Sequence, residues 1–300
     1  MKHKSVLLDE SIFVINPQNN GVYIDMTLGA GGHTRKLLEK SSPNGIVIAF
    51  DRDKKAIEYA KETLKKEYGE RLLLVNENFS NCVEKVRELG FEYVDGIVMD
   101  LGVSLDQLKS KTRGFSFLED APLDMRMDVS KPLTAEKIVN EWQEKDIENI
   151  LRIYGEERFA GRIAKNIVRS RPIYSTKQLA DIVEGCVPRN LYKRIHPATR
   201  TFQALRIVVN DELESLKKGL SSSVELLAEG GVLCVISFHS LEDRIVKNTF
   251  RDYKSEGVVR LINKKPIVPT KDEIYKNRRA RSAKMRCLVK INKKLEDSND

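Results

Sequence analysis

The stretch Val22-Tyr-Ile-Asp-Met-Thr-Leu-Gly-Ala-Gly-Gly-His-Thr34 constrains this 300-residue chain more than any other. Val22, Tyr23 and Ile24 read as a short buried strand, preceded by the turn residues Asn19, Asn20 and Gly21. Gly29, Gly31 and Gly32 then give a tight turn in which backbone approaches a ligand with no Cβ in the way. From Thr34 the sequence turns helical through Lys40, so the loop offers N–H groups at a helix N-terminus. Strand, glycine loop and helix in that order make a nucleotide-type site. A dinucleotide fingerprint asks for G-x-G-x-x-G, and Thr34 holds its third glycine position. A pyrophosphate is therefore disfavoured. Asp25 ahead of the G-x-G-G turn fits S-adenosylmethionine better, because the amino and carboxylate groups of that ligand are small. A plain strand-to-helix connection remains the alternative at this point.

Three further strands follow. Ile46–Phe50 ends at Asp51, about 20 residues beyond the loop, where an α/β nucleotide site places the acid that holds the ribose hydroxyls. Asp53 is its rival, and Asp51 as a helix N-cap is the structural alternative. Leu72–Val75 leads to Phe79, which is suited either to lie against an adenine or to fill the core. Ile97–Met99 ends at Asp100. Strand ends at Asp25, Asp51, Phe79 and Asp100 are expected to converge on one crevice of an open parallel sheet.

The alternation stops between about residues 105 and 195, where helical patterns and a loop replace strands. Ser175 and Gln178 form a capping box. Tyr154–Val168 reads as one helix, with Phe159, Ile163 and Ile167 on an apolar face and Arg158, Arg162, Lys165 and Arg169 on a basic one. That basic face is either a solvated surface or an RNA contact. A single long helix is expected from Thr199 to about Ala228, then a fifth strand over 232–238. His239, Ser240 and Asp243 follow it, too close in sequence to face one another as a hydrolase triad, so Ser240 with Asp243 reads as an N-cap. Beyond Lys264 the chain is strongly basic, with Lys276, Arg278, Arg279, Arg281, Lys284 and Arg286 close together.

No apolar run approaches the roughly 20 residues of a membrane span, and the N-terminus lacks a signal-peptide pattern. The four cysteines are scattered without a C-x-x-C pair, so neither a metal site nor a disulfide framework is indicated. These features point to a cytoplasmic location. The net charge of +8 suits an anionic partner.

The sequence resembles the bacterial 16S rRNA (cytosine-N4) methyltransferase H family, also called MraW. The stretches that carry the resemblance are 3–10, 25–34, 51–53, 100–104, 113–117, 122–128, 154–159, 196–203 and 237–244, spread over nearly the whole chain. Departures are few: Met26 stands where many relatives have glycine, and Leu105-Asp106 where Ser-Pro is frequent. Asp100-Leu-Gly-Val103 also differs from the Asp/Asn/Ser-Pro-Pro-aromatic motif of many DNA amino-methyltransferases.

The resemblance implies an α/β fold of the class I S-adenosylmethionine-dependent type, a Rossmann-like doubly wound sheet. It implies a first part over 1–108, an inserted helical substrate-recognition domain over 109–198, and a second part with the basic tail over 199–300. It implies methylation of the N4 amine of one cytidine in the decoding region of small-subunit rRNA. Carried onto this chain, the cofactor contacts are Gly31, Gly32, His33, Asp51, Phe79, Asp100 and Gln107. From its place at a strand end beside the cofactor, Asp100 is also the candidate catalytic group, with a pure cofactor ligand as the alternative. Candidates for the RNA substrate are Arg113, Arg126, Arg158, Arg162, Lys165, Arg169 and His239. Two rival functions are a non-catalytic rRNA-binding assembly factor and an NADP-type dehydrogenase using Arg52 beside Asp51.

Overall fold

The computed structural model describes residues 5–188 and 196–292, so His3 and Lys4 of the first matching stretch lie outside the described residues. The chain divides into two compact units, Met1–Gly102 with Leu213–Asp300, and Val103–Glu212.

The first unit opens with α1 (Leu8–Ile15), β1 (Val22–Asp25), α2 (Gly32–Lys40), β2 (Ile46–Phe50), α3 (Lys54–Glu62), α4 (Leu64–Tyr68), β3 (Leu72–Val75), α5 (Cys82–Glu88) and β4 (Val94–Asp100). Parallel strands covered on both faces need apolar residues at nearly every position, which Ile46-Val-Ile-Ala-Phe50 supplies. Asp53, not Asp51, caps α3, accepting the Lys55 N–H at 3.1 Å.

The second unit holds α6 (Leu105–Lys109), α7 (Ala135–Glu141), α8 (Glu144–Tyr154), α9 (Ala160–Arg169), α10 (Thr176–Glu184) and α11 (Ala198–Asn210). Its core joins Phe115, Leu123 and Met125 of the long loop to apolar faces of the helices. Ser175 caps α10 by accepting the Gln178 N–H, while the Gln178 side chain accepts from Tyr174, so the box closes one residue early. The bounds 109–198 expected for this region are corrected. Phe202, Leu205 and Val209 of α11 share the apolar cluster of α8 and α9, which moves the boundary past residue 198. The helix expected over Tyr154–Val168 is also two pieces, because α8 stops at Gly155 and Glu156 takes a left-handed backbone with φ 48°.

The first unit resumes with α12 (Glu212–Leu226, from Leu213 onward), β5 (Leu227–Ser237), α13 (Ser240–Ser255), β6 (Val259–Leu261), α14 (Lys271–Lys276) and β7 (Lys284–Lys290). The single helix expected from Thr199 breaks at Asp211, whose φ of 50° ends α11. The strand order is β3-β2-β1-β4-β5-β7-β6, with β7 antiparallel to both neighbours and the other pairings parallel. β5 carries an irregularity at Glu229-Gly-Gly231, where pairing with β4 jumps from Leu227 to Val232. Alternate residues serve opposite faces of the sheet: Val47, Val98 and Cys234 join one apolar cluster, Ile48, Ile97 and Leu233 the other. Strand order reverses between β1 and β4, so a crevice is expected beyond their carboxyl ends.

Candidate active site

Gly31 caps α2 with φ 78°, and no side chain among the described residues caps the first turn of the helix. A Cβ on Gly32 would come within 2.1 Å of the Ser5 hydroxyl, so Gly32 is required by close packing. Asp25 is buried under this loop and braces it from within. The Thr34 hydroxyl donates to Asp25 Oδ2 at 2.7 Å, and the Thr27 N–H donates to Oδ1 at 3.0 Å. The position that a dinucleotide fingerprint gives to glycine is thus occupied by a residue that locks the loop to β1.

Asp51 stands at the end of β2. It accepts the Gly29 N–H at 2.9 Å and the Asp53 N–H at 2.8 Å. Burial pushes its carboxyl up to about 6, although the two backbone hydrogen bonds pull the other way. Because Asp53 caps the helix, Asp51 is left at the sheet edge. Phe79 opens a short 3₁₀ turn after β3 and is 8% exposed. Its ring lies so close to Gly219 that a Cβ there would meet Cδ2 at 2.5 Å, so one side of the ring packs on α12.

Asp100 ends β4. Its N–H donates to Thr27 Oγ1 at 2.7 Å, and its Oδ2 lies 3.8 Å from His33 Nδ1. Its Oδ1 is buried and has no hydrogen-bond partner among the described residues. Burial, aided by the charge of Asp25 and opposed by Arg279, pushes this carboxyl up to about 8. Thr27 therefore ties β1 to β4 at the crevice, and neither it nor Arg279 was found by motif. Thr27 lay in plain view inside the loop, whereas nothing in the sequence signals that Arg279 comes near Asp100.

Gln107 belongs to the second unit, where it closes a capping box on α6: Ser104 Oγ accepts the Gln107 N–H, and Gln107 Oε1 accepts the Ser104 N–H at 3.0 Å.

The candidates for RNA contact divide sharply. Arg113 is only 5% exposed, and its guanidinium donates to the carbonyls of Arg126 and Met127. Its guanidinium braces the loop from within. Arg126, which is partly exposed, chelates the Asp124 carboxylate and donates to the carbonyls of Val129 and Lys131. His239, not Ser240, is the N-cap of α13, with Glu242 completing the box and accepting the Phe238 N–H at 2.8 Å. Its ring nitrogen Nε2 lies 3.2 Å from Glu242 Oε1, and the side chain is mostly covered. Arg162, Lys165 and Arg169 are exposed along α9, and Arg158 is exposed ahead of the helix.

The basic tail is not a tail. Lys284 and Arg286 lie on β7 and hold Asp243 at 3.0 and 2.7 Å. Burial would raise the Asp243 carboxyl, but these hydrogen bonds bring it below its ordinary value. Lys276, Arg278 and Arg281 remain exposed.

A family model described as the MraW methylase family matches residues 1–291. The chain is 48% identical to a protein of Geotalea uraniireducens named "Ribosomal RNA small subunit methyltransferase H", over 96% of this chain and 98% of that one. It is 49% identical to a protein of the same name from Geobacter sulfurreducens, covering 96% and 99%. A Clostridioides difficile protein, again of that name, is 44% identical over 96% and 99%.

Proposed function

The chain belongs to the MraW methylase family, and from that membership and the sheet-edge geometry we propose that it methylates the N4 amine of a cytidine in the decoding region of small-subunit rRNA, with S-adenosylmethionine as methyl donor. The fold is the class I S-adenosylmethionine-dependent methyltransferase fold. The match to a methylase model displaces the dehydrogenase alternative. A ribosomal substrate goes with a cytoplasmic location.

The residues fit this cofactor. An uncapped helix N-terminus, an acid at the end of β2 and a carboxyl oxygen without a partner at the end of β4 provide sites for a carboxylate, a ribose diol and cationic groups. Gly31, Gly32 and His33 supply the helix end, Asp51 takes the hydroxyls, and Phe79 closes the apolar side.

When bound, the cofactor supplies a sulfonium methyl that is already activated for attack. The protein has then to align the amine and take its proton. The N4 lone pair is conjugated into the cytosine ring, so an acceptor on N4–H helps the nitrogen leave the ring plane. Asp100 is placed for that task. Its raised carboxyl is protonated near neutral pH, and a positive charge beside it favours ionisation. Ionised, Oδ1 accepts the amine proton; once the positive charge is gone, the acid keeps it. The target base must be unpaired or flipped to reach the site.

The observation that carries this reading is the buried, unpartnered Asp100 Oδ1 beside the glycine loop. The test is transfer of labelled methyl groups to small ribosomal subunits, followed by digestion to nucleosides. Label in N4-methylcytidine is expected. Label at another atom, or none, overturns the reading.

A further inference from the structure

Residues 270–283 form a capped and tethered rim beside the candidate site. Thr270 caps α14 by accepting the Glu273 N–H at 3.2 Å, and Asn277 caps the following 3₁₀ turn through the Arg279 N–H at 3.3 Å. Beneath, Ala280, Ala283 and the partly buried Ile274 enter the apolar cluster of the sheet. The Glu273 carboxylate accepts the Leu7 N–H at 2.8 Å, fixing the rim to the segment that enters α1. Ser5, two residues before Leu7, packs on the glycine loop, where a Cβ on Gly32 would meet its hydroxyl at 2.1 Å, so the rim lies against the loop. The charges of Arg279 and Glu273 reach the Asp100 carboxyl from there.

The outward side of this rim has a distinctive composition. Tyr275 is 89% exposed. Lys276, Arg278 and Arg281 are exposed around it and hold no ion pair among the described residues. A protein-binding hot spot would surround its aromatic with apolar residues and few lysines. An aromatic ring among unpaired cations instead matches the way single-stranded nucleic acid is held, by a π-face for a base and by charges for the phosphates.

We propose that Tyr275 is a stacking platform for an unpaired RNA base adjacent to the one being methylated, with Lys276, Arg278 and Arg281 holding the neighbouring phosphates. This rests on the methyltransferase reading above and names the element that presents the RNA to Asp100. The caps at Thr270 and Asn277 hold the segment in place before RNA arrives, so little ordering is required on binding.

The experiment measures affinity of the full chain for a short, mixed-sequence single-stranded RNA by anisotropy across a salt series. Calorimetric binding of S-adenosylhomocysteine and the urea midpoint report the fold. Tyr275→Ala should weaken RNA binding about 5- to 100-fold with the salt slope kept, and Tyr275→Phe should restore it. Lys276→Glu with Arg281→Glu should flatten the slope instead. Tyr275→Ala with unchanged RNA affinity and an intact fold overturns the proposal, as does a wild-type chain without affinity for RNA. A Tyr275→Ala change in oligomeric state at constant RNA affinity also overturns it, by marking a protein contact. If RNA binds through Tyr275 but N4 is not methylated, the proposed reaction fails and the platform stands; if N4 is methylated and Tyr275→Ala is silent, the reverse holds.

Discussion

The carboxylate of Asp51 accepts the backbone N–H of Gly29 at 2.9 Å. The acid at the end of β2 is therefore built into the loop that follows β1, and ligand affinity and loop stability are expected to be coupled through one side chain.

Asp51→Ala removes the acceptor for Gly29 and Asp53 together with the proposed partner of the ribose. Cofactor affinity should fall about 30- to 1,000-fold, equivalent to roughly 2–4 kcal/mol. The urea midpoint should fall as well. Asp53→Ala removes the helix cap and should cost about 1 kcal/mol of stability while affinity is nearly kept. Calorimetry that ranks the two variants in the opposite order for affinity would refute the assignment of Asp51.

The raised carboxyls set a pH dependence with a definite sign. Asp51 at about 6 and Asp100 at about 8 both lie above the ~3.9 of an unfolded aspartic acid. Between these values the folded chain holds protons that the unfolded chain has lost. Their contribution to stability is complete below about pH 4 and is lost as pH rises through about 6 and then 8. Urea midpoints of the ligand-free protein should decline between pH 6 and 8.5, with a shallower decline for Asp100→Asn. Parallel curves for the two proteins would show that Asp100 titrates normally.

Cofactor and product differ by one positive charge, which Asp100 is placed to sense. At pH 7, S-adenosylmethionine binding should release a proton from the wild-type chain, and S-adenosylhomocysteine binding should release little. Calorimetry in two buffers of different ionisation enthalpy reads this directly. Asp100→Asn should abolish the difference while cofactor affinity changes less than turnover. Equal proton release by both ligands counts against Asp100 as the acceptor.

Arginines of the second unit should fall into two classes. Arg113→Ala leaves the Arg126 and Met127 carbonyls without their donor and should lower stability by about 2–4 kcal/mol. Arg162→Glu with Lys165→Glu, on the exposed face of α9, should change unfolding stability by no more than about 0.5 kcal/mol. If that face binds RNA, the double variant flattens the salt slope by about one unit or more. A stable Arg113→Ala chain with weakened RNA binding would reverse the present assignment.

The first four strands were legible because burial on both faces leaves unbroken apolar runs, and the acids at Asp51 and Asp100 end those runs. β7 was not legible. Lys284 and Arg286 look like part of a basic tail until Asp243, far away in sequence, is seen to neutralise both. The local bonds of Arg113 and Arg126 were not legible for a related reason: an arginine that donates to nearby carbonyls has the same one-letter signal as one that meets a phosphate. The frames Ser240–Asp243 and His239–Glu242 differ by one residue. Capping preference alone favours the serine, whereas the end of β5 at Ser237 brings the helix in at His239. The α9 stripe was read correctly from its spacing except for Arg158, which the left-handed Glu156 separates from the helix.

β7 follows β5 and β6 in the chain yet lies between them. During synthesis both older strands emerge with an edge that has no partner, and β6 has no place in the sheet until β7 arrives. The nascent protein therefore carries an open strand edge on β5 through the making of α13, β6 and α14. Such an edge is where a partly made chain is most exposed to mispairing. Completion of the sheet is thus a late event in vectorial folding, and Asp243 waits for Lys284 and Arg286 over the same interval.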